Sequence, residues 1–184
     1  MMTKTYLKTS LILAAICAVA TLILAELNSV TAPLIASYET SKTLSALEAV
    51  SGSQKLGKEI AVSDNTTISA YYKLTTDGKP SGYLLKLANN GYGGAVNLVA
   101  AYDLKGLVTD AKVVSDSETP GLGKKSEESW YMKKFIGKDP IPTKKNMLSS
   151  EDAAAVSGAS ITFGAVSSAL ETGSKFVKGL GGNK

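Results

Sequence analysis

The sequence contains no histidine, and its single cysteine, Cys17, lies inside an apolar run. These absences exclude Ser-His-Asp and Cys-His catalysis, histidine-held zinc and thiolate-held iron–sulfur clusters. Any redox chemistry would therefore need an organic cofactor. The 20 basic and 16 acidic residues give a net charge of +4, but the basic side chains are dispersed and form no stripe interleaved with aromatic residues. We therefore expect no nucleic-acid binding.

The longest apolar run, residues 9–25, carries no charge and is just long enough for a membrane-spanning helix. Because the only charges before it are Lys4 and Lys8, the positive-inside rule places the N-terminus in the cytoplasm and the remaining chain outside. A signal peptide cleaved after Ala20 is an alternative, although it would leave an apolar stub. A lipid anchor at Cys17 is a poorer one, because bulky Ile16 precedes it.

The length of 184 residues allows one packed domain plus a small appendage. We predict a cytoplasmic tail at 1–8, a transmembrane anchor at 9–29, a membrane-proximal helix and linker at 30–57, and an extracytoplasmic domain at 58–184. Thr31 and Pro33 are typical of a helix start, so the membrane-proximal helix is expected to begin there.

Beyond residue 57 the pattern predicts an α+β domain with an antiparallel sheet and packed helices. Alternating apolar residues, separated by turns at Asp77-Gly78 and Lys105-Gly106, indicate strands. They are expected at 58–63, 67–75, 82–88, 95–102 and 107–114. A short helix near 125–136, which carries Trp130 and Phe135, and a final helix from about 162 to 178 are expected. Trp130 is expected in the core rather than at a cofactor.

The stretch 157–165, SGASITFGA, places the hydroxyls of Ser157, Ser160 and Thr162 among small residues at the start of the last helix. The first amide groups of a helix lack intrahelical partners and lie at the positive end of its dipole, so a phosphate there would be stabilised. The simpler alternative is that Ser160 caps the helix and Gly158 makes the preceding turn.

Two further segments have the composition of ligand-binding turns. In NNGYGG, residues 89–94, glycines allow close backbone approach and Tyr92 could flank a ring, although a loose loop is an alternative. In ETPGLG, residues 118–123, Pro120 and the glycines present Leu122, which suits an apolar surface against a flat ligand. The alternative is that Leu122 fills the core.

The anchor, GYGG, ETPGLG, WYMKKFIGK and SGASIT occur in the order and spacing of a known family. Together they resemble the G subunit of the Rnf ion-translocating electron-transport complex, and they are similar to the C subunit of the sodium-pumping NADH:quinone oxidoreductase. The resemblance implies an extracytoplasmic domain that holds FMN covalently, through a phosphodiester to the last hydroxyl of Asp-x-x-Ser/Thr-Gly-Ala-Thr/Ser. That hydroxyl belongs to Ser160 here.

Three positions depart from the family pattern. Ser160 stands where threonine is usual, and Ala154 stands at the aspartate of the motif, with Asp152 the nearest acid. Asp116 occupies the position two residues before Glu118 where histidine is frequent. Serine offers the same oxygen nucleophile as threonine, so the chemistry of attachment is retained.

The resemblance implies a role for ten residues. Ser160 would carry FMN; the residues expected around its phosphate are Ser157, Gly158, Ala159 and Thr162, and those expected at or near its ring are Thr119, Gly121, Leu122, Glu118 and Tyr92.

The implied function is electron relay within a membrane-bound ion-translocating ferredoxin:NAD oxidoreductase complex. Its partners would be other membrane and peripheral subunits, and a flavin transferase for maturation. A membrane-tethered scaffolding domain without redox activity is the main alternative, and a flavin reductase acting on a small extracytoplasmic acceptor is a second.

Overall fold

The computed structural model describes residues 2–143 and 157–181, and the chain divides into two compact units, Met1–Ser41 and Lys42–Lys184. Helix α1 spans Met2–Ser51. Its stretch Tyr6–Ser51 is the one helical segment in the described part of the chain that is long and apolar enough to cross a membrane.

The helix start predicted at Thr31 and Pro33 is wrong, because α1 continues through Pro33. Proline lacks an N–H, but its fixed φ of about −65° is helical, so one lost hydrogen bond does not end a long helix. The hydroxyls of Ser29 and Thr31 donate to main-chain carbonyls in the preceding turn, at 2.7 and 2.9 Å.

Five strands form the antiparallel sheet that the sequence predicted, and each strand pairs with the next in a meander. They are β1 Lys55–Ala61, β2 Ile68–Thr76, β3 Lys79–Asn90, β4 Ala95–Asp103 and β5 Val108–Ser115. Asp77 and Gly78 adopt φ values of 51° and 75° between β2 and β3. Two consecutive positive values are typical of the tight turn that matches the twist of a hairpin.

Both faces of this sheet are covered, so adjacent strand residues are buried on opposite sides. On one face the sheet packs against the last helix, α3, which spans Ser160–Gly181. This core contains Leu85, Leu87, Leu98, Tyr102, Phe163, Val166 and Leu170. On the other face, Leu84, Val99 and Ala101 pack against Ala46, Leu47 and Val50 of α1.

The segment predicted as one helix near 125–136 consists of two shorter pieces. They are a 3-10 helix at Gly123–Glu127 and α2 at Ser129–Met132. Phe135 is buried, whereas Trp130 is 38% exposed, so the predicted place of Trp130 in the core is wrong. The single turn of α2 directs Tyr131 and Met132 inward and leaves Trp130 on the outer side.

Candidate functional site

The three segments singled out in the sequence meet in one cleft of about 440 Å³. It lies between the glycine turn after β3, the loop after β5 and the start of α3. Its lining residues are Tyr92, Glu118, Thr119, Leu122, Gly123, Gly158, Ala159, Ser160, Ile161 and Thr162. Eight of the ten predicted site residues therefore come together, while Gly121 and Ser157 do not line the cleft. Gly123 and Ile161 were not predicted.

The start of α3 forms one end of the cleft. The Ala159 carbonyl accepts a hydrogen bond from the Phe163 N–H at 2.9 Å, so Ala159 is the N-cap and Ser160 is the first helical residue. The alternative that Ser160 caps the helix is therefore wrong. Alanine has no side-chain acceptor, so the N-cap side chain cannot accept a hydrogen bond from the first N–H groups of α3. Such groups stabilise an anion.

A sharp turn brings the chain to this helix start. Gly158 has a φ of 74°, a backbone conformation that residues other than glycine rarely adopt. A Cβ atom there would lie 2.7 Å from Leu122 Cδ2, so the turn also packs closely against the loop after β5. Substitution of Gly158 would disturb both the helix start and the cleft wall.

The two hydroxyls of the first turn of α3 differ in environment. Ser160 is half-buried and borders the cleft. Thr162 is 1% exposed, and its Oγ1 donates a 2.7 Å hydrogen bond to Glu118 Oε2. Ser160 is therefore the more accessible oxygen nucleophile.

Glu118 is 4% exposed and binds two other segments. Besides the bond from Thr162, its Oε1 accepts a hydrogen bond from the Gly93 N–H at 3.1 Å. Its own N–H donates to Asp116 Oδ1 at 2.9 Å. Asp116 Oδ1 also lies 3.3 Å from Lys124 Nζ. The Glu118 carboxylate thus forms the back of the cleft and does not point into solvent.

Exposed apolar side chains line the mouth of the cleft. Leu122, Tyr92 and Ile161 are 42%, 74% and 54% exposed. The alternative in which Leu122 fills the core is therefore wrong. An apolar rim beside a polar helix start suits a ligand with a flat ring and an anionic group. Ile161 was not predicted, although a large apolar residue at the second position of a helix beside a glycine turn is a signal for such a rim.

Comparison with known proteins agrees with this geometry. Residues 91–175 match the FMN-binding domain family, and this range contains the GYGG, ETPGLG and SGASIT segments. The G subunit of the Clostridium ljungdahlii proton-translocating ferredoxin:NAD(+) oxidoreductase complex is 30% identical over 62% of this chain and 63% of its own length. The chain is thus similar to G subunits of such complexes, and its residues 91–175 match the FMN-binding domain.

Two further G subunits cover more of the chain. That of the Na(+)-translocating ferredoxin:NAD(+) oxidoreductase complex of Acetobacterium woodii is 29% identical over 91% of this chain and 89% of its own length. That of the Aliivibrio fischeri ion-translocating oxidoreductase complex is 29% identical over 74% of this chain and 71% of its own length. The chain thus spans just under two thirds of the Clostridium relative and most of the Acetobacterium one.

The size and lining of the cleft are compatible with FMN. Its volume lies within the range of roughly 300 to 1,000 Å³ that is usual for small-molecule sites. The first N–H groups of α3 suit the phosphate, and the apolar rim suits the ring. Among the described residues that line the cleft none is basic, so these residues offer a phosphate only neutral donors. Ala154 and Asp152 lie outside the described residues.

The hydroxyl of Tyr131 is a further polar group near the cleft. It is buried, and within the described parts of the chain it has no hydrogen-bond partner. Burial raises the pKa of Tyr131 well above its usual value, and the nearby charge of Glu118 raises it further. The Tyr131 hydroxyl therefore stays neutral.

Proposed function

We propose that this chain is an electron-transfer subunit of a membrane-bound ion-translocating ferredoxin:NAD oxidoreductase complex, and that it relays electrons through an FMN esterified to Ser160. The observation that carries the proposal is the position of Ser160 as the accessible first residue of α3, where the N-cap residue has no side-chain acceptor. The names of the related G subunits support the complex.

The linkage would be a phosphodiester between Ser160 Oγ and the FMN phosphate. With a flavin dinucleotide as donor, the Oγ–phosphorus bond forms, the pyrophosphate bond breaks, and a nucleoside monophosphate leaves. The serine proton passes to solvent or to a base of the flavin transferase. A diester carries one negative charge, whereas a free phosphate ester carries close to two. Neutral N–H donors suit the diester better.

FMN, when bound, supplies reversible electron transfer, while the protein orients the ring and sets its environment. Ser157, Gly158 and Ala159 form the turn that delivers Ser160 to the phosphate. Leu122 and Tyr92, with Ile161, would shield the ring from water. Thr119 and Gly121 belong to the same rigid turn as Leu122.

The membrane part of the proposal concerns α1. We infer that it anchors the chain with the N-terminus in the cytoplasm and the FMN domain on the opposite side. Covalent attachment is useful there, because a dissociated flavin would be lost. Partner subunits on the membrane and at its surface would donate and accept the electrons, so the isolated chain should show little turnover of its own. Steady turnover with a small acceptor would favour a flavin reductase.

The experiment is co-expression with a flavin transferase, followed by a denaturing gel viewed for flavin fluorescence. The native chain and Ser157→Ala should fluoresce, whereas Ser160→Ala should not. Fluorescence retained in Ser160→Ala but lost in Thr162→Ala would assign the linkage to Thr162. An unlabelled native chain would favour the scaffolding alternative.

A further inference from the structure

One buried carboxylate joins all three segments of the cleft. Glu118 accepts hydrogen bonds from the Gly93 N–H and the Thr162 hydroxyl, which belong to the glycine turn and to α3. Its own backbone belongs to the loop after β5. These segments are 25 and 44 residues distant from Glu118 in the sequence.

The backbone closes tightly around this side chain. A Cβ atom at Gly91 would lie 2.1 Å from Glu118 Oε1, and one at Gly123 would lie 2.4 Å from Oε2. Carbon atoms do not approach oxygen so closely, so only glycine fits at either position. The two glycines therefore allow the glycine turn and the 3-10 helix to pack directly on the carboxylate.

The charge of Glu118 has no cationic partner within the described residues, in contrast to Asp116, which pairs with Lys124. Its hydrogen bonds come from a neutral amide and a neutral hydroxyl. A negative charge that is buried and unpaired acts over a longer range than one in water, because the surrounding dielectric constant is low.

We propose that Glu118 is a positioning residue that clamps the glycine turn to the start of α3, and that its negative charge lowers the reduction potential of the flavin in the cleft. The second part rests on the proposed function. Adding an electron to the flavin adds negative charge, which an adjacent carboxylate opposes. We expect an effect of about tenfold on the one-electron equilibrium, which is equivalent to about 59 mV.

The test compares three variants of the full-length chain in detergent. Glu118→Gln keeps the shape and an acceptor for Gly93 but removes the charge, whereas Glu118→Ala removes both. Glu127→Gln is the matched control. It also removes one carboxylate, but the Glu127 side chain lies on the neighbouring 3-10 helix and is partly exposed to solvent. Each is studied without FMN by hydrogen–deuterium exchange of the 91–94 peptide, and with FMN by spectroelectrochemical titration.

Glu118→Ala should accelerate exchange in the 91–94 peptide by tenfold or more, while Glu118→Gln and Glu127→Gln should leave it near the native rate. Glu118→Gln should raise the reduction potential, and Glu127→Gln should not. Unchanged exchange in Glu118→Ala would overturn the clamp, and equal potentials in Glu118→Gln and the native protein would overturn the charge effect. If the native chain carries no FMN, the proposed function and the charge effect fail together, and the exchange measurement still decides the clamp.

Discussion

Replacing Thr162 with valine removes the hydroxyl that donates to Glu118 and keeps the shape of the side chain. Thr162 is buried, and the 2.7 Å hydrogen bond is one of two that its carboxylate partner receives. A hydrogen bond to a charged group contributes about 1.5 to 3 kcal/mol, and a buried group left without its partner loses that amount. Because valine leaves no cavity, we expect Thr162→Val to lower the free energy of unfolding by about 2 to 3 kcal/mol.

Urea unfolding of the full-length chain in detergent measures this loss, and the fluorescence of the single tryptophan, Trp130, reports on the domain. For a urea dependence of about 2 kcal/mol per M, the midpoint should fall by about 1 to 1.5 M. Thr172→Val is the matched control, since its hydroxyl donates to the Ser168 carbonyl within the same helix. We expect the control to change stability by less than about 0.5 kcal/mol.

Thr162→Ser should recover most of the loss, because serine restores the donor. Equal midpoints for Thr162→Val and Thr172→Val would refute the reasoning, since they would show that Glu118 does not depend on this hydrogen bond. A changed urea dependence would instead indicate that the valine variant alters how cooperatively the domain unfolds.

Two further predictions concern close packing and acid stability. Gly123→Ala should destabilise the domain by about 1 to 3 kcal/mol in urea unfolding, because its Cβ would overlap Glu118, whereas Gly179→Ala, with no atom within 4 Å, should be neutral or stabilising by up to about 1 kcal/mol. Hydrogen bonds from Tyr72 and then Lys86 lower the pKa of Glu59 below its usual 4.5. Its stabilising contribution is therefore complete above pH 4.5 and is lost as the pH falls through the lowered folded-state pKa. Glu59→Gln should flatten the decline of melting temperature over this acidic range, and an unchanged profile would contradict the prediction.

The sheet was predictable from the sequence because its signals are local. All five strands occur where alternating apolar residues indicated them, and Asp77-Gly78 makes the expected turn. The sequence also indicated where the last helix begins, but it did not indicate which residue is the N-cap. The structure makes Ala159 the N-cap, so the hydroxyl of Ser160 lies one position further along than a capping side chain.

What the sequence did not reveal depends on contacts between distant segments. The glycines at 91 and 123 have the composition of turns, and nothing local indicates that both pack on Glu118. Glu118 itself was expected near the ring, whereas its side chain is engaged by Gly93 and Thr162. The helix start predicted at Pro33 was wrong for a different reason. The fixed φ of proline suits both the first turn of a helix and its interior, so the residue alone does not mark a helix start.

The most direct test of the central claim is the intact mass of the natively produced chain, followed by fragmentation to locate any added group. We predict the mass of the polypeptide plus FMN less one water, with the addition on Ser160 and absent from Ser160→Ala. An unmodified polypeptide mass from cells that contain the flavin transferase, or an addition at a different residue, would contradict this prediction.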